Sequence, residues 1–355
     1  MDTDNTVEPT CCTGEPGTPS CFCKTTPLTL PIIHTTDSTI TFANRLDHFL
    51  ARWGVNRMGH RVDPGLYRIG KPTTESPVFA SANYTLSFDA LRSALSGYNA
   101  YILVLDTKGI NVWCAAGKGT FGTEELVSRI ETAGLGSTVI HRKIIVPQLG
   151  APGVSALDVQ RRSGFKVEYG PVRARDLPEY LKIGKATLEM RRVQFPINDR
   201  IVLAPVELVH IALPTIVVAA VLWFLAGPVA ALAAISAVVA GTVLFPVLLP
   251  FIPTNDFSTK GLILGGVAAI PFAAAFASAP ALPGWAALIA AITPLLIIPA
   301  VIAYLALNFT GSTTFTSRTG VKKEIFQYVP VMAFMAVTGI ILGIVLGVSR
   351  LIGVI

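Results

Sequence analysis

Hydrophobic and polar positions are arranged in two different ways along the 355 residues. From about Leu66 onward, short apolar runs alternate with amphipathic stretches: SPVFASANY (76–84), a helix over 87–95, YILVLDT (101–107), a helix over 123–133, TVIHRKIIVP (138–147), a helix near 154–163 and KVEYGPV (166–172). Strand-like runs separated by helical ones predict a Rossmann-like α/β domain with a mainly parallel sheet. The first 40 or so residues show little periodicity and read as a flexible tail. After Arg200 the alternation gives way to long apolar segments, and lengths near 20 residues predict five spans, at about 206–226, 228–252, 261–279, 284–307 and 328–349. The expected organisation is a cysteine-containing tail (1–43), an α/β domain with a cap helix (44–200) and an all-α, five-helix transmembrane domain (201–355).

Charge sharpens this division. Up to Arg200 the chain holds 23 Lys plus Arg and 19 Asp plus Glu, an ordinary soluble balance, whereas Asp256 and Lys260 are the only charges between Leu208 and Ser317. An odd number of spans puts the termini on opposite sides. Arginines before the first span, Lys260 between the second and third, and Arg318, Lys322 and Lys323 before the fifth lie on one side, so the positive-inside bias places the α/β domain in the cytoplasm. The first 40 residues, polar and rich in Pro, Thr and Cys, carry no secretory signal pattern. Prolines and small residues in the spans permit kinks and close packing. An ion path usually needs carboxylates or histidines within the membrane, and of these only Glu207 and His210 sit near a span, which favours anchoring and docking over ion transport. The net charge of +6, with its arginines at 191–200, points to lipid headgroups and not to nucleic acid.

Candidate chemistry centres on NVWCAAGK (111–118), which holds the only cysteine outside the first 23 residues. Asn111 is a good helix N-cap, and it would place Cys114 at the third position of a short helix closed by Gly117 or Gly119. There the helix dipole and free N–H groups favour anionic sulfur. Ala115 and Ala116 leave room for a flat partner, so the turn suits a soft metal in a planar macrocycle; a small buried core cysteine is the alternative reading. The segment directly follows a strand end, where α/β domains bind ligands. Trp113 packs against the sheet or a cofactor edge. Lys118 after Gly117 does not complete a phosphate loop, because Val112 and Gly119 stand where Gly and Ser or Thr are required. Gln148, Leu149, Gly150, Gly153 and Val154, in QLGAPGVSA (148–156), form a second strand-to-helix loop whose glycines would admit a phosphate or amide tail. Asn83, Tyr84 and Thr85 end another strand and could line the same face. Cys11, Cys12, Cys21 and Cys23 place four thiols in 13 residues, suited to soft cations such as Hg(II) but not spaced as a standard zinc or iron–sulfur site.

NVWCAAGK resembles the cap-helix signature of the corrinoid protein of the mercury-methylating pair, the HgcA family, which is related to the large subunit of the corrinoid iron–sulfur protein. A second segment, NFTGSTTFTSRTGVKKE (308–324), and the order of a corrinoid domain before a membrane domain extend the resemblance. It implies that Cys114 is the lower ligand of cobalt in a cobalamin or related corrinoid, with 111–118 as its cap. It also implies methyl transfer from methyl-Co(III) to Hg(II), giving methylmercury. The reductant would be a ferredoxin-like partner with two [4Fe-4S] clusters, since no cluster is expected in this chain, and a separate protein or small molecule would donate the methyl group. The setting is the cytoplasmic (inner) membrane of a prokaryote. None of the five histidines lies in the DxHxxG context in which many cobalamin methyltransferases ligate cobalt. Two alternatives remain: a membrane-anchored corrinoid methyl carrier with another acceptor, and a heavy-metal transporter using the N-terminal cysteines.

Overall fold

The computed structural model describes residues 32–313 and 318–355. Cys11, Cys12, Cys21 and Cys23 lie outside the described residues, as does part of the 308–324 segment.

The first body is a six-stranded sheet. Its elements are β1 (Ile33–Thr36), α1 (Phe42–Arg52), β2 (Gly65–Ile69), β3 (Val78–Ala82), α2 (Thr85–Ala94), β4 (Ala100–Leu105), α3 (Val112–Lys118), α4 (Thr123–Thr132), α5 (Leu135–Thr138), β5 (Lys143–Val146), α6 (Ala156–Ser163), β6 (Lys166–Tyr169) and α7 (Leu177–Ile183). The strand order is β1-β2-β4-β3-β5-β6. β4, β3, β5 and β6 run parallel, while β2 meets β4 antiparallel and carries β1 parallel to itself. The mainly parallel α/β sheet read from the alternation is therefore present, with an antiparallel edge added on one side.

Period-two alternation explains why helices cover both faces. Val78, Ala80 and Ala82 with Leu103 and Leu105 pack toward Phe121, Leu126, Ile130 and Val159. Phe79 with Ile102 and Val104 faces the other way, onto Phe88, Leu91, Leu177 and Tyr180. All six residues of β4 are buried, as befits a central strand.

Residues 33–36 fall in the stretch read from sequence as tail, yet they pair with β2. Ile33 packs against the core and His34 stacks on Tyr67, and a buried guanidinium holds the turn that follows. Arg92 of α2 donates to the carbonyls of Asp37 (2.8 Å) and Thr39 (2.7 Å) and to Asn44 Oδ1 (3.1 Å), and it is itself held by Asp89 at 2.6 Å. A capping box between Thr41 and Asn44 then starts α1.

Among the described residues, the C-terminal half has five helices long and apolar enough to cross a membrane: Ile197–Ala226, Pro228–Leu248, Phe257–Ala277, Gly284–Phe309 and Thr319–Leu351. They match the expected five with shifted ends. The fifth helix begins well before position 328 because its polar start has a buried partner: Ser258 N and Oγ both donate to Glu324 Oε2 at 3.0 Å. The third and fourth helices pack through small residues. A Cβ at Gly261 would stand 2.5 Å from the Ala303 Cα, and one at Gly265 would strike Pro299. Arg200 donates to the carbonyls of Pro246 and Val247, both at 2.9 Å, and Arg173 pairs with Asp199. These contacts tie the segment between the bodies to each of them.

Candidate functional site: a capped cysteine helix at the carboxyl edge of the sheet

The loop from β4 into α3 is shaped by the end of β3. The Asn83 side chain is buried, and its Oδ1 accepts from Thr107 N (3.1 Å), Thr107 Oγ1 (2.9 Å) and Gly109 N (3.0 Å), while its Nδ2 donates to Asp106 Oδ1 (3.2 Å). That network delivers the chain to Asn111, whose Oδ1 accepts from Cys114 N at 2.9 Å. Cys114 is the third residue of the helix, and Gly119, at φ 86°, closes it. Ala115 and Ala116 are buried in the sheet core. Cys114 is partly exposed with a free thiol, and Gly117 and Lys118 face outward. The helix is thus clamped on its alanine side and offers sulfur on the other.

The 148–154 loop closes directly on this helix. A Cβ at Gly153 would collide with the Phe121 carbonyl and stand 3.1 Å from the Ala116 Cα; one at Gly150 would stand 2.5 Å from the Phe121 ring. Gly150 N donates to Pro147 O (2.8 Å), and Gly153 N (3.0 Å) and Val154 N (3.2 Å) donate to Gly150 O. These amides are spent inside the loop, so the two glycines serve its approach to α3. Val154 is buried, and its carbonyl accepts from the Tyr169 hydroxyl at 2.7 Å.

Two adjoining clefts open where the parallel strands end. One, of about 560 Å³, is lined by Trp113, Gln148, Leu149, Ala151 and Pro152, and by Val172, Arg191 and Val193 from the returning chain. The other, of about 280 Å³, shares Trp113, Leu149 and Val172 and adds Asn111 and Val112. Gln148 Oε1 is buried at the first cleft without a hydrogen-bond partner. Buried acceptors are usually paired, so this one is suited to a donor on a ligand.

The third predicted group splits in role. Asn83 holds the β4–α3 loop. Thr85 N donates to His60 O (3.2 Å), and Thr85 Oγ1 donates to Asp47 Oδ2 (2.7 Å). Tyr84 is the member near the thiol. Burial pushes its phenol pKa up, Cys114 and Asp47 nearby add to this, and Arg52 and Arg57 oppose it. It therefore stays a neutral hydroxyl at physiological pH. His60, behind it, contacts Asp47 Oδ1 through Nδ1 and the Val55 carbonyl through Nε2, both at 2.7 Å. Both partners are acceptors, so both ring nitrogens donate when the pair is fully satisfied. Burial disfavours the charge, but the bonds to Val55 and Asp47 outweigh it and raise the His60 pKa.

Sequence reasoning missed Val172, Arg191 and Val193 in the cleft and Arg52 and Arg57 beside Tyr84. The arginines at 191–200 were visible, but only as charge next to a span. Among the described residues no group of three or more His, Cys, Asp or Glu could hold a metal ion.

The stretch that holds this site is similar to known proteins. Residues 53–181 match the family described as CO dehydrogenase/acetyl-CoA synthase delta subunit. The gamma subunit of the acetyl-CoA decarbonylase/synthase complex of Methanopyrus kandleri is 33% identical over 128 residues, which are 36% of this chain and 27% of the relative. The corresponding subunit of Methanosarcina acetivorans is 30% identical over 125 residues (34% and 26%), and that of Archaeoglobus fulgidus 32% over 114 residues (32% and 24%). The chain thus spans about a quarter of the length of the curated relatives it matches. The family match contains β2 through the first part of α7 together with the whole cap-helix site, and leaves β1, α1 and the five long apolar helices outside.

Proposed function

We propose that this chain is a membrane-held corrinoid methyl carrier, that Cys114 is the lower ligand of its cobalt, and that Hg(II) is the acceptor substrate. One observation carries the reading: a lone, partly exposed thiol on a rigidly capped helix, with no other metal-ligating cluster among the described residues. Such a donor suits a metal whose equatorial positions are already filled by a macrocycle. The unpaired Gln148 Oε1 fits the same group, since corrinoid side chains end in amides that donate N–H.

A bound corrinoid supplies a cobalt centre able to take up and release a methyl group; the protein supplies ligand, orientation and dryness. Asn111 and the buried alanines fix the direction of the Cys114 sulfur. Trp113 and Leu149, common to both clefts, present apolar surface that excludes water from the macrocycle edge. Tyr84, whose phenol burial holds above its ordinary pKa, adds no competing negative charge on that side of the domain.

Mercury as the acceptor is supported by the resemblance of 111–118 and 308–324 to the mercury-methylating corrinoid protein. Under that reading a ferredoxin-like protein with two [4Fe-4S] clusters provides electrons, and the α/β domain faces the cytoplasm. The similarity of residues 53–181 to acetyl-CoA decarbonylase/synthase subunits favours a second reading, the same carrier with another acceptor. The test is methylmercury formation by the full chain in membranes, supplied with a corrinoid, a methyl donor, a reduced ferredoxin and Hg(II). Cys114→Ala is expected to abolish it, while Ser in place of Cys11, Cys12, Cys21 and Cys23 retains it. Full activity in Cys114→Ala would refute the ligand assignment, and cobalt uptake without methylmercury would favour another acceptor.

A further inference from the structure

Helix α1 is an amphipathic helix turned inside out. Its polar side points into the protein: Asp47 pairs with His60, His48 contacts Asp89 at 2.7 Å, and Asn44 accepts from Arg92. Its apolar side points away. Phe42 is 80% exposed, Leu46 48%, Phe49 55% and Trp53, at its end, 37%. Spacings of four, three and four residues place these side chains on one stripe. Val55 and Met58 extend the apolar surface into the following turn.

Two further observations say what covers this stripe. Gly54, just beyond the helix, lies against the first long apolar helix about a third of the way along it, where an added Cβ would stand 3.4 Å from Val206 Cγ2 and 3.8 Å from His210 Cε1. The stripe therefore ends beside the point where the uncharged run from Leu208 begins. Arg45, Arg52 and Arg57 are all exposed around it, the arrangement by which basic side chains reach phosphate headgroups while the apolar face enters the acyl boundary. In addition, the stretch similar to known proteins begins at residue 53, so α1 and the long apolar helices both lie outside it.

We propose that α1 lies in the membrane interface, with Phe42, Leu46, Phe49 and Trp53 in contact with lipid, and so fixes the α/β domain and its cysteine helix against the bilayer surface. The inference rests on the five long helices spanning the membrane. It would make α1 a second membrane attachment, independent of the spans.

The test uses the full chain in vesicles of phosphatidylcholine and phosphatidylglycerol, with the photoreactive amino acid p-benzoylphenylalanine replacing Phe42, Leu46 or Phe49 one at a time. Phe224, 85% exposed on the first long helix, is the lipid-facing control, and the exposed Glu131 of α4 is the water-facing control. Irradiation is expected to give phospholipid adducts at 42 and 49 within about twofold of those at 224, with none at 131. Lipid adducts at 224 but none at 42 or 49 would overturn the proposal. So would adducts at 42 and 49 formed with protein, whether a second copy or another part of the same chain. Failure of 224 to label lipid would overturn the spanning reading, and this proposal with it.

Discussion

At the scale of single residues, the cleft carries a measurable conflict between stability and binding. Gln148 Oε1 is buried without a partner, which costs the empty domain on the order of 1 kcal/mol or more. Gln148→Met keeps the volume and removes the orphan. It should stabilise the corrinoid-free protein by about 1 kcal/mol in thermal or denaturant unfolding and weaken corrinoid retention by roughly fivefold to tenfold. A variant that changed neither quantity would remove Gln148 from the cofactor face. The Asp47–His60 pair behaves differently. For Asp47, burial is outweighed by bonds to Thr85 and His60, which hold its pKa below the ordinary 3.8, so its stabilisation is present above that value and lost as pH falls through the lowered one. His60 is held above the ordinary 6.5, so its stabilisation is complete below 6.5 and lost as pH rises through the raised folded value. The melting temperature of the native chain should therefore drop as pH rises above 6.5 and through the raised folded value of His60, and Asp47→Asn should flatten that drop.

At the scale of elements, the cysteine helix depends on what lies beneath it. Gly153 allows the 148–154 loop to touch Phe121 and Ala116, so Gly153→Ala should displace the loop or the helix. A cost of about 1–3 kcal/mol in stability is expected from such overpacking, with corrinoid retention falling although Cys114 is intact. Unchanged retention would mean that the loop does not set the helix position. The elements differed in how openly the sequence declared them. β3, β4, β5 and β6 with α2, α4 and α6 were legible because apolar runs and amphipathic stretches alternate there, whereas the short α5 was read as the start of a strand. Asn111 and Gly119 announced α3 in the same way. β1 was hidden because its four residues show no apolar alternation, and the arginine that holds the turn after it lies more than 50 residues away. The polar start of the fifth long helix was hidden because its stabilising partner, Ser258, is 66 residues away. Val172, Arg191 and Val193 could not be read as cleft residues, since only the return of the chain beneath Trp113 brings them there.

At the scale of the whole molecule, an α/β body that carries Cys114 is followed, among the described residues, by five helices long and apolar enough to cross a membrane. The two approach each other at Gly54, which lies against Val206 and His210 of the first long helix. The central claim, that Cys114 is the lower ligand of a corrinoid cobalt, is tested most directly by the cobalt content and visible spectrum of the purified full chain after corrinoid reconstitution, compared with Cys114→Ala. Stoichiometric cobalt is expected in the native chain, with a band pattern that changes when the thiol is removed. A folded native chain that takes up no cobalt, or a spectrum identical in Cys114→Ala, would contradict it.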